Sequence, residues 1–158
     1  MTNKPVIIVS GKNGELGKEL QDVESSNKNL QFIFFDKNEL SIADEQSITK
    51  TFEQYSPSFF INCAAYTAVD KAETEKEKAY QINAEAVGNI AKQCNQFNTK
   101  LIHVSTDYVF DGKGNKPYKE EDITNPVNYY GYTKLRGEEL ALQNNADTII
   151  IRTSWVYS

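Results

Sequence analysis

Two short clusters in the sequence have the chemistry to deliver a proton to a carbonyl. Tyr130 and Lys134 stand at i, i+4 on the segment 129–143, whose pattern is helical, so a phenol and an ammonium share one face. A free phenol titrates at about 10, too high for easy proton exchange near neutrality. An ammonium beside it favours the phenolate and would lower that value. Ser105-Thr106-Asp107 follow an apolar strand candidate. They would lie at the carboxyl edge of a sheet, where open α/β sheets bind ligands. There Thr106 can hydrogen-bond the same carbonyl and fix its orientation. Asp107 would either contact a substrate or brace its loop. Trp155, just past the last strand candidate, would either stack on a sugar or pack in the core.

A third cluster would hold an anion. Gly11, Gly14 and Gly17 follow the first apolar run and open a helical segment. Glycines at this spacing permit a tight turn, close backbone approach to a pyrophosphate and close packing of helix on sheet. The helix N-terminus adds unpaired N–H groups and a partial positive charge. Asp36 ends the second apolar run, about 20 residues further on, where a carboxylate can accept from adenosine ribose hydroxyls. It disfavours a 2′-phosphate, but Lys12 and Lys37 are close enough in sequence to offset that. NADPH and NADH both stay open as the cofactor.

These clusters need a scaffold, and the chain spells one. Val6–Val9, Phe32–Phe35, Phe59–Ile61, Leu101–Val104 and Ile149–Ile151 are short apolar runs. Helical segments alternate with them: 14–23, 45–55 behind an Asp44 cap, 76–97 and 129–143. Runs that are apolar throughout predict strands covered on both faces. The alternation predicts a Rossmann-like, doubly wound parallel sheet in three α/β/α layers, with right-handed crossovers, as one NAD(P)-binding domain over 1–158. A very short extra strand is expected around Leu40. His103, the sole histidine, reads as a packed strand residue. Asn83 reads as a brace for the site or as a plain surface position. The charged stretch 71–78 reads as a solvated helix start.

Composition excludes several classes. A net charge of −5 and a pI of about 5.0 argue against a nucleic-acid partner. The first apolar run is too short for a signal peptide or a membrane span. Cys63 and Cys94 lie far apart with no metal-ligand spacing, which predicts two small core residues, no metal and a reducing, cytoplasmic setting.

At these residues the sequence closely resembles the dTDP-4-dehydrorhamnose reductases, a family of extended short-chain dehydrogenase/reductases. The resemblance runs through 11–17, 62–73, 105–110, 130–134 and 152–157. It implies reduction of the 4-keto group of dTDP-6-deoxy-L-lyxo-4-hexulose to dTDP-L-rhamnose with NADPH or NADH. It implies Tyr130 as proton donor, Lys134 as its tuner and ribose holder, and Thr106 as helper at the carbonyl. Gly14, Glu15 and Leu16 would underlie the pyrophosphate, beside Gly11 and Gly17. Asp36 would hold the ribose, and Ile42 would flank the adenine. Ala65, Tyr66 and Thr67 would line the cofactor's path, and Thr106, Asp107 and Trp155 would meet the sugar.

Ser41 departs from the usual aspartate of the family. The resemblance also implies a C-terminal substrate domain and a last sheet strand beyond Ser158, so that these residues alone would turn over slowly or not at all. Many members form dimers, which makes a homodimer one implied assembly. Two rivals stay open: a non-catalytic subunit like the regulatory partner of methionine adenosyltransferase, and another sugar-nucleotide reductase or epimerase.

Overall fold

Five short runs of β-branched and aromatic residues form the scaffold, because such side chains pack well on a pleated, buried surface. In the computed structural model, which describes residues 4–154 and 156, they are β1 (Val6–Ser10), β2 (Gln31–Phe35), β3 (Phe59–Asn62), β4 (Lys100–Thr106) and β5 (Ile149–Thr153). All pair in parallel, in the order β2-β1-β3-β4-β5. The helices are α1 (Glu15–Ser26), α2 (Glu45–Tyr55), α3 (Val69–Ala72), α4 (Lys76–Tyr80), α5 (Ala86–Gln96) and α6 (Tyr129–Asn144). The Rossmann-like fold expected from the sequence is present.

Local chemistry sets the helix ends. Asp44 accepts from the amides of Gln46 and Ser47 and starts α2. Ser56 takes a left-handed conformation, φ 41°, and stops it before Pro57. Asn128 caps α6 by accepting from the Gly131 amide at 2.7 Å. By contrast, α1 begins at Gly14 with no side-chain cap.

Several expectations need correction. No strand forms around Leu40; the chain turns there, with the Leu40 amide bonded to the Asp36 carbonyl, and Leu40 points into the core. The helix expected over 76–97 is not uniform. A π-helical turn, Gln81–Glu85, separates α4 from α5. β4 and β5 run past their apolar parts to Thr106 and Thr153, because the backbone ladder continues through polar residues.

The two sheet faces differ. With right-handed crossovers, the connections β2 to β3, β3 to β4 and β4 to β5 run one way and stack α2, α5 and α6 on one face. There Ile8, Phe60 and Leu101, in register, meet Phe52, Ile90 and Ala141. The Phe52 and Phe60 rings stack at 5.6 Å. The β1 to β2 connection runs the other way and carries α1 to the opposite face. Among the described residues α1 is the only helix there, and Phe59, Ile149 and Ile151 stay 36%, 47% and 48% exposed. The expectation that both faces of every strand are covered therefore fails at β5.

The closest helix contact sets the position of α6. A Cβ on Gly137 would collide with the Asn83 carbonyl oxygen of the π turn. Gly137→Ala is expected to destabilise the fold by about 2–3 kcal/mol, the cost of forcing an atom into a filled space. Urea unfolding measures it, and an unchanged midpoint would show that the helices separate freely.

Candidate active site and cofactor cleft

The three glycines do different things. Gly11 sits at φ +82°, and a Cβ there would lie 2.8 Å from the Ala64 amide nitrogen. Gly17 packs so tightly that a Cβ would strike the Gly11 carbonyl. Gly14 has its nearest neighbour at 3.5 Å and leaves room above the turn. The amides of Gly11 and Lys12 bond the Phe35 carbonyl at 3.0 and 3.1 Å, tying the turn to the end of β2. First-turn amides of a helix have no intrahelical partner. With no side-chain cap on α1, they are suited to an anion.

At the end of β2, the Asp36 carboxylate accepts from the amides of Asn38 and Glu39 at 2.8 and 3.1 Å. The Asn38 amide is the main cause that holds its pKa below the ordinary range. Lys12 Nζ lies 4.0 Å from Asp36 and 2.6 Å from Glu39. Of the two lysines expected near Asp36, Lys12 is the one that pairs with it among the described residues.

Above the turn opens a cleft of about 390 Å³. Gly14, Glu15, Leu16 and Gly17 form one wall, and Ala65 and Thr67 line it further along. Thr106, Tyr130 and Lys134 line the same cleft. The YxxxK pair and the strand-end hydroxyl thus meet the glycine-rich turn across one cavity. Ser105 is 3% exposed and also lines the cleft, and its Oγ is buried with no partner among the described residues. The uncapped helix, the open middle glycine and this orphaned hydroxyl fit a bound dinucleotide.

The electrostatics differ from the simple expectation. Burial raises the pKa of Tyr130, and its hydrogen bond with Thr106 only partly offsets that. Lys134 is 2% exposed, and its ammonium donates to the Val104 carbonyl at 2.7 Å. Burial pushes its pKa down to about 8. With the ammonium turned to a backbone oxygen, the expected lowering of the phenol by Lys134 is not seen. Tyr130 stays a protonated acid at neutral pH. Thr106 Oγ1 donates to Asp107 at 3.2 Å and accepts from the Tyr108 amide.

Other predicted residues lie elsewhere. Ile42 is 7% exposed and packs in the core rather than along the cleft. Tyr66 is buried outside the lining, with Lys78 over its ring. Asp107 opens onto a second cavity, of about 760 Å³, shared with Phe110, Tyr118 and Arg152. Trp155 lies outside the described residues. Cys94 is a core residue as expected, whereas Cys63 is only half-buried and lines the cleft.

Asn83 is a brace, not a surface position. Its Oδ1 accepts from the Tyr66 amide at 2.8 Å, and its Nδ2 donates to the Tyr66 carbonyl and to Thr133 Oγ1. Thr133 in turn donates to the Tyr130 carbonyl at 2.8 Å. Sequence reasoning missed Asn62, whose Oδ1 accepts from Ser10 Oγ and the Ala64 amide while its Nδ2 meets His103 Nδ1 at 3.2 Å. A polar residue ending an apolar strand was the available signal. It also missed the Glu138–Arg152 pair.

The family model described as RmlD substrate binding domain matches residues 5–158. The chain belongs to this family. The dTDP-4-dehydrorhamnose reductase of Escherichia coli is 43% identical over 156 residues, 96% of this chain and 52% of the relative. The spore coat polysaccharide biosynthesis protein SpsK of Bacillus subtilis is 40% identical over 151 residues, 96% of this chain and 53% of that protein. A crystal structure of dTDP-4-dehydrorhamnose reductase from Bacillus anthracis in complex with NADP superposes with a TM-score of 0.94 at 38% identity, covering 99% of this chain and 56% of that one. The chain spans about half the length of the curated relatives it matches.

For this member of the family, burying Lys134 has a measurable cost. Its folded pKa of about 8 lies below the ordinary 10.5, so unfolding releases a disfavoured cation. The penalty is complete below about pH 8 and fades as pH rises toward the unfolded value. Lys134→Met is expected to stabilise the fold by about 2–4 kcal/mol near neutrality, with a smaller gain near pH 10. Urea midpoints at the two pH values test this; a destabilised variant, or a gain independent of pH, would contradict it.

Proposed function

We propose that residues 1–158 are the NAD(P)-binding domain of a dTDP-4-dehydrorhamnose reductase, reducing the 4-keto group of dTDP-6-deoxy-L-lyxo-4-hexulose to give dTDP-L-rhamnose. The observation that carries this reading is the single cleft onto which the glycine-rich turn, Thr106, Tyr130 and Lys134 all open. NADPH or NADH, when bound, supplies the hydride. Gly14, Glu15, Leu16 and Gly17 would lie under its pyrophosphate, and Asp36 would meet its ribose. Tyr130 holds a proton on its phenol oxygen for the sugar oxygen, and burial keeps it there near neutrality. Thr106 orients the carbonyl and the phenol together. Lys134 supplies fixed positive charge and, once turned from Val104, a donor for the nicotinamide ribose. Asp107 would face the sugar from the side of the second cavity.

Retention of the hydroxyl, phenol and ammonium in one cleft favours a reductase over a regulatory binding subunit. A cytoplasmic setting and a homodimer belong to the same reading. Because the chain spans half its relatives' length, turnover by these residues alone is expected to be slow.

Tyr130→Phe is expected to keep NADPH affinity within about threefold while lowering keto-sugar-dependent NADPH oxidation about a hundredfold, the usual worth of a positioned acid. Fluorescence titration and a coupled product assay measure the two. Wild-type protein that binds neither NADPH nor NADH would end the proposal.

Cofactor choice has its own test. Lys12 faces two carboxylates, Asp36 and Glu39, at the ribose end. Asp36→Ala should weaken NADH about tenfold and spare NADPH, whereas Lys12→Ala should weaken NADPH more than NADH, each step being one hydrogen bond or charge contact. Equal losses for both cofactors would remove Asp36 and Lys12 from the ribose site.

A further inference from the structure

Lys134 is a buried cation, and a buried cation without an opposing charge is very costly. The titratable groups that act on it or are acted on by it are Cys63 after β3, His103 on β4 and Glu138 on α6, and Tyr130 of α6 lines the same cleft. Burial pushes the Cys63 thiol up to about 11 and keeps His103 unprotonated. Tyr130 keeps its proton. The charged residues of α5 and the π turn, Lys92 and Glu85, point to solvent. Glu138 is therefore the one anion facing Lys134 among the described residues.

The placement of Glu138 is firm. It lies one helical turn from Lys134, on the same face, and is only 3% exposed. Arg152 of β5 grips both its oxygens: Nε donates to Oε1 and Oε2 at 3.0 and 3.2 Å, and Nη2 to Oε2 at 2.7 Å. Arg152 also donates to the Glu120 carbonyl and lies over the Phe110 ring. Arg152 is in register with Ser105, next to the Val104 carbonyl that holds the Lys134 ammonium.

We propose that Glu138, fixed by the Arg152 fork, is the counter-charge of Lys134 and acts as a positioning residue for the cleft. Arg152 then sets how much of that carboxylate Lys134 can use. The idea rests on the reading of the cleft as a dinucleotide site, but its first readout does not. That readout is the titration of the Lys134 side chain, followed by NMR of protein carrying ¹³Cε-lysine, with Lys134→Met to assign the signal.

Wild-type Lys134 should titrate near 8. Glu138→Gln should move the midpoint down by about one pH unit or more, whereas Arg152→Met should move it up. Opposite signs are not produced by general loosening of the fold. The double variant E138Q/R152M removes both charges, leaves no ion half-paired, and should lower the midpoint less than E138Q alone does. The pH at which NADPH affinity falls should follow the Lys134 midpoint in each variant. A midpoint unmoved in any folded variant, or moved the same way by E138Q and R152M, overturns the proposal. Shifted midpoints without NADPH binding would uphold Glu138 as the counter-charge and refute the dinucleotide reading instead.

Discussion

The contact between Gly137 of α6 and the Asn83 carbonyl is the constraint on which the cleft depends. Only a residue without a side chain lets α6 lie this close to the π turn. That approach brings Thr133 within reach of the Asn83 amide, and Asn83 in turn holds both backbone groups of Tyr66. One buried side chain thus ties the segment after β3 to the helix that carries Tyr130 and Lys134. The cleft has two walls because these pieces are locked together, and its width follows from their spacing.

A second consequence of this packing is electrostatic. Pressing α6 onto the sheet removes water from Lys134 and much of it from Tyr130, and burial then acts in opposite directions on the two groups. It disfavours the ammonium and favours the neutral phenol. The result is an acid that keeps its proton beside a cation held in place by Val104 and faced by Glu138. Stability is given up where chemistry is gained, as expected for sites that bind charged ligands.

Much of this arrangement was legible in the sequence, for physical reasons. Strands of a parallel sheet are short unbroken apolar runs, so all five were readable, β5 included although one of its faces is open. YxxxK and the glycine turn are local patterns whose geometry follows from one helix and one turn. What escaped involves groups that carry no local signal. The partner of Lys134 is a backbone carbonyl, and Arg152 meets Glu138 only after β5 lies beside β4. Ile42 looks like any apolar turn residue until the core claims it. The polar ends of β4 and β5 were missed because backbone pairing continues where side-chain hydrophobicity stops. The π turn was hidden by residues that suit an ordinary helix equally well.

That turn also makes the chain's numbering mechanical. A helix advances about 100° per residue, so the extra residue in the Gln81–Glu85 loop of backbone works like a tooth in a ratchet. Losing one residue there would restore regular winding, yet it would rotate α4 against α5 by that same angle. Asn83 would swing off Tyr66, and everything upstream, from α3 to the strand end at Asn62, would be threaded out of step with α6. The segment can exchange side chains at its exposed positions far more easily than it can change its length.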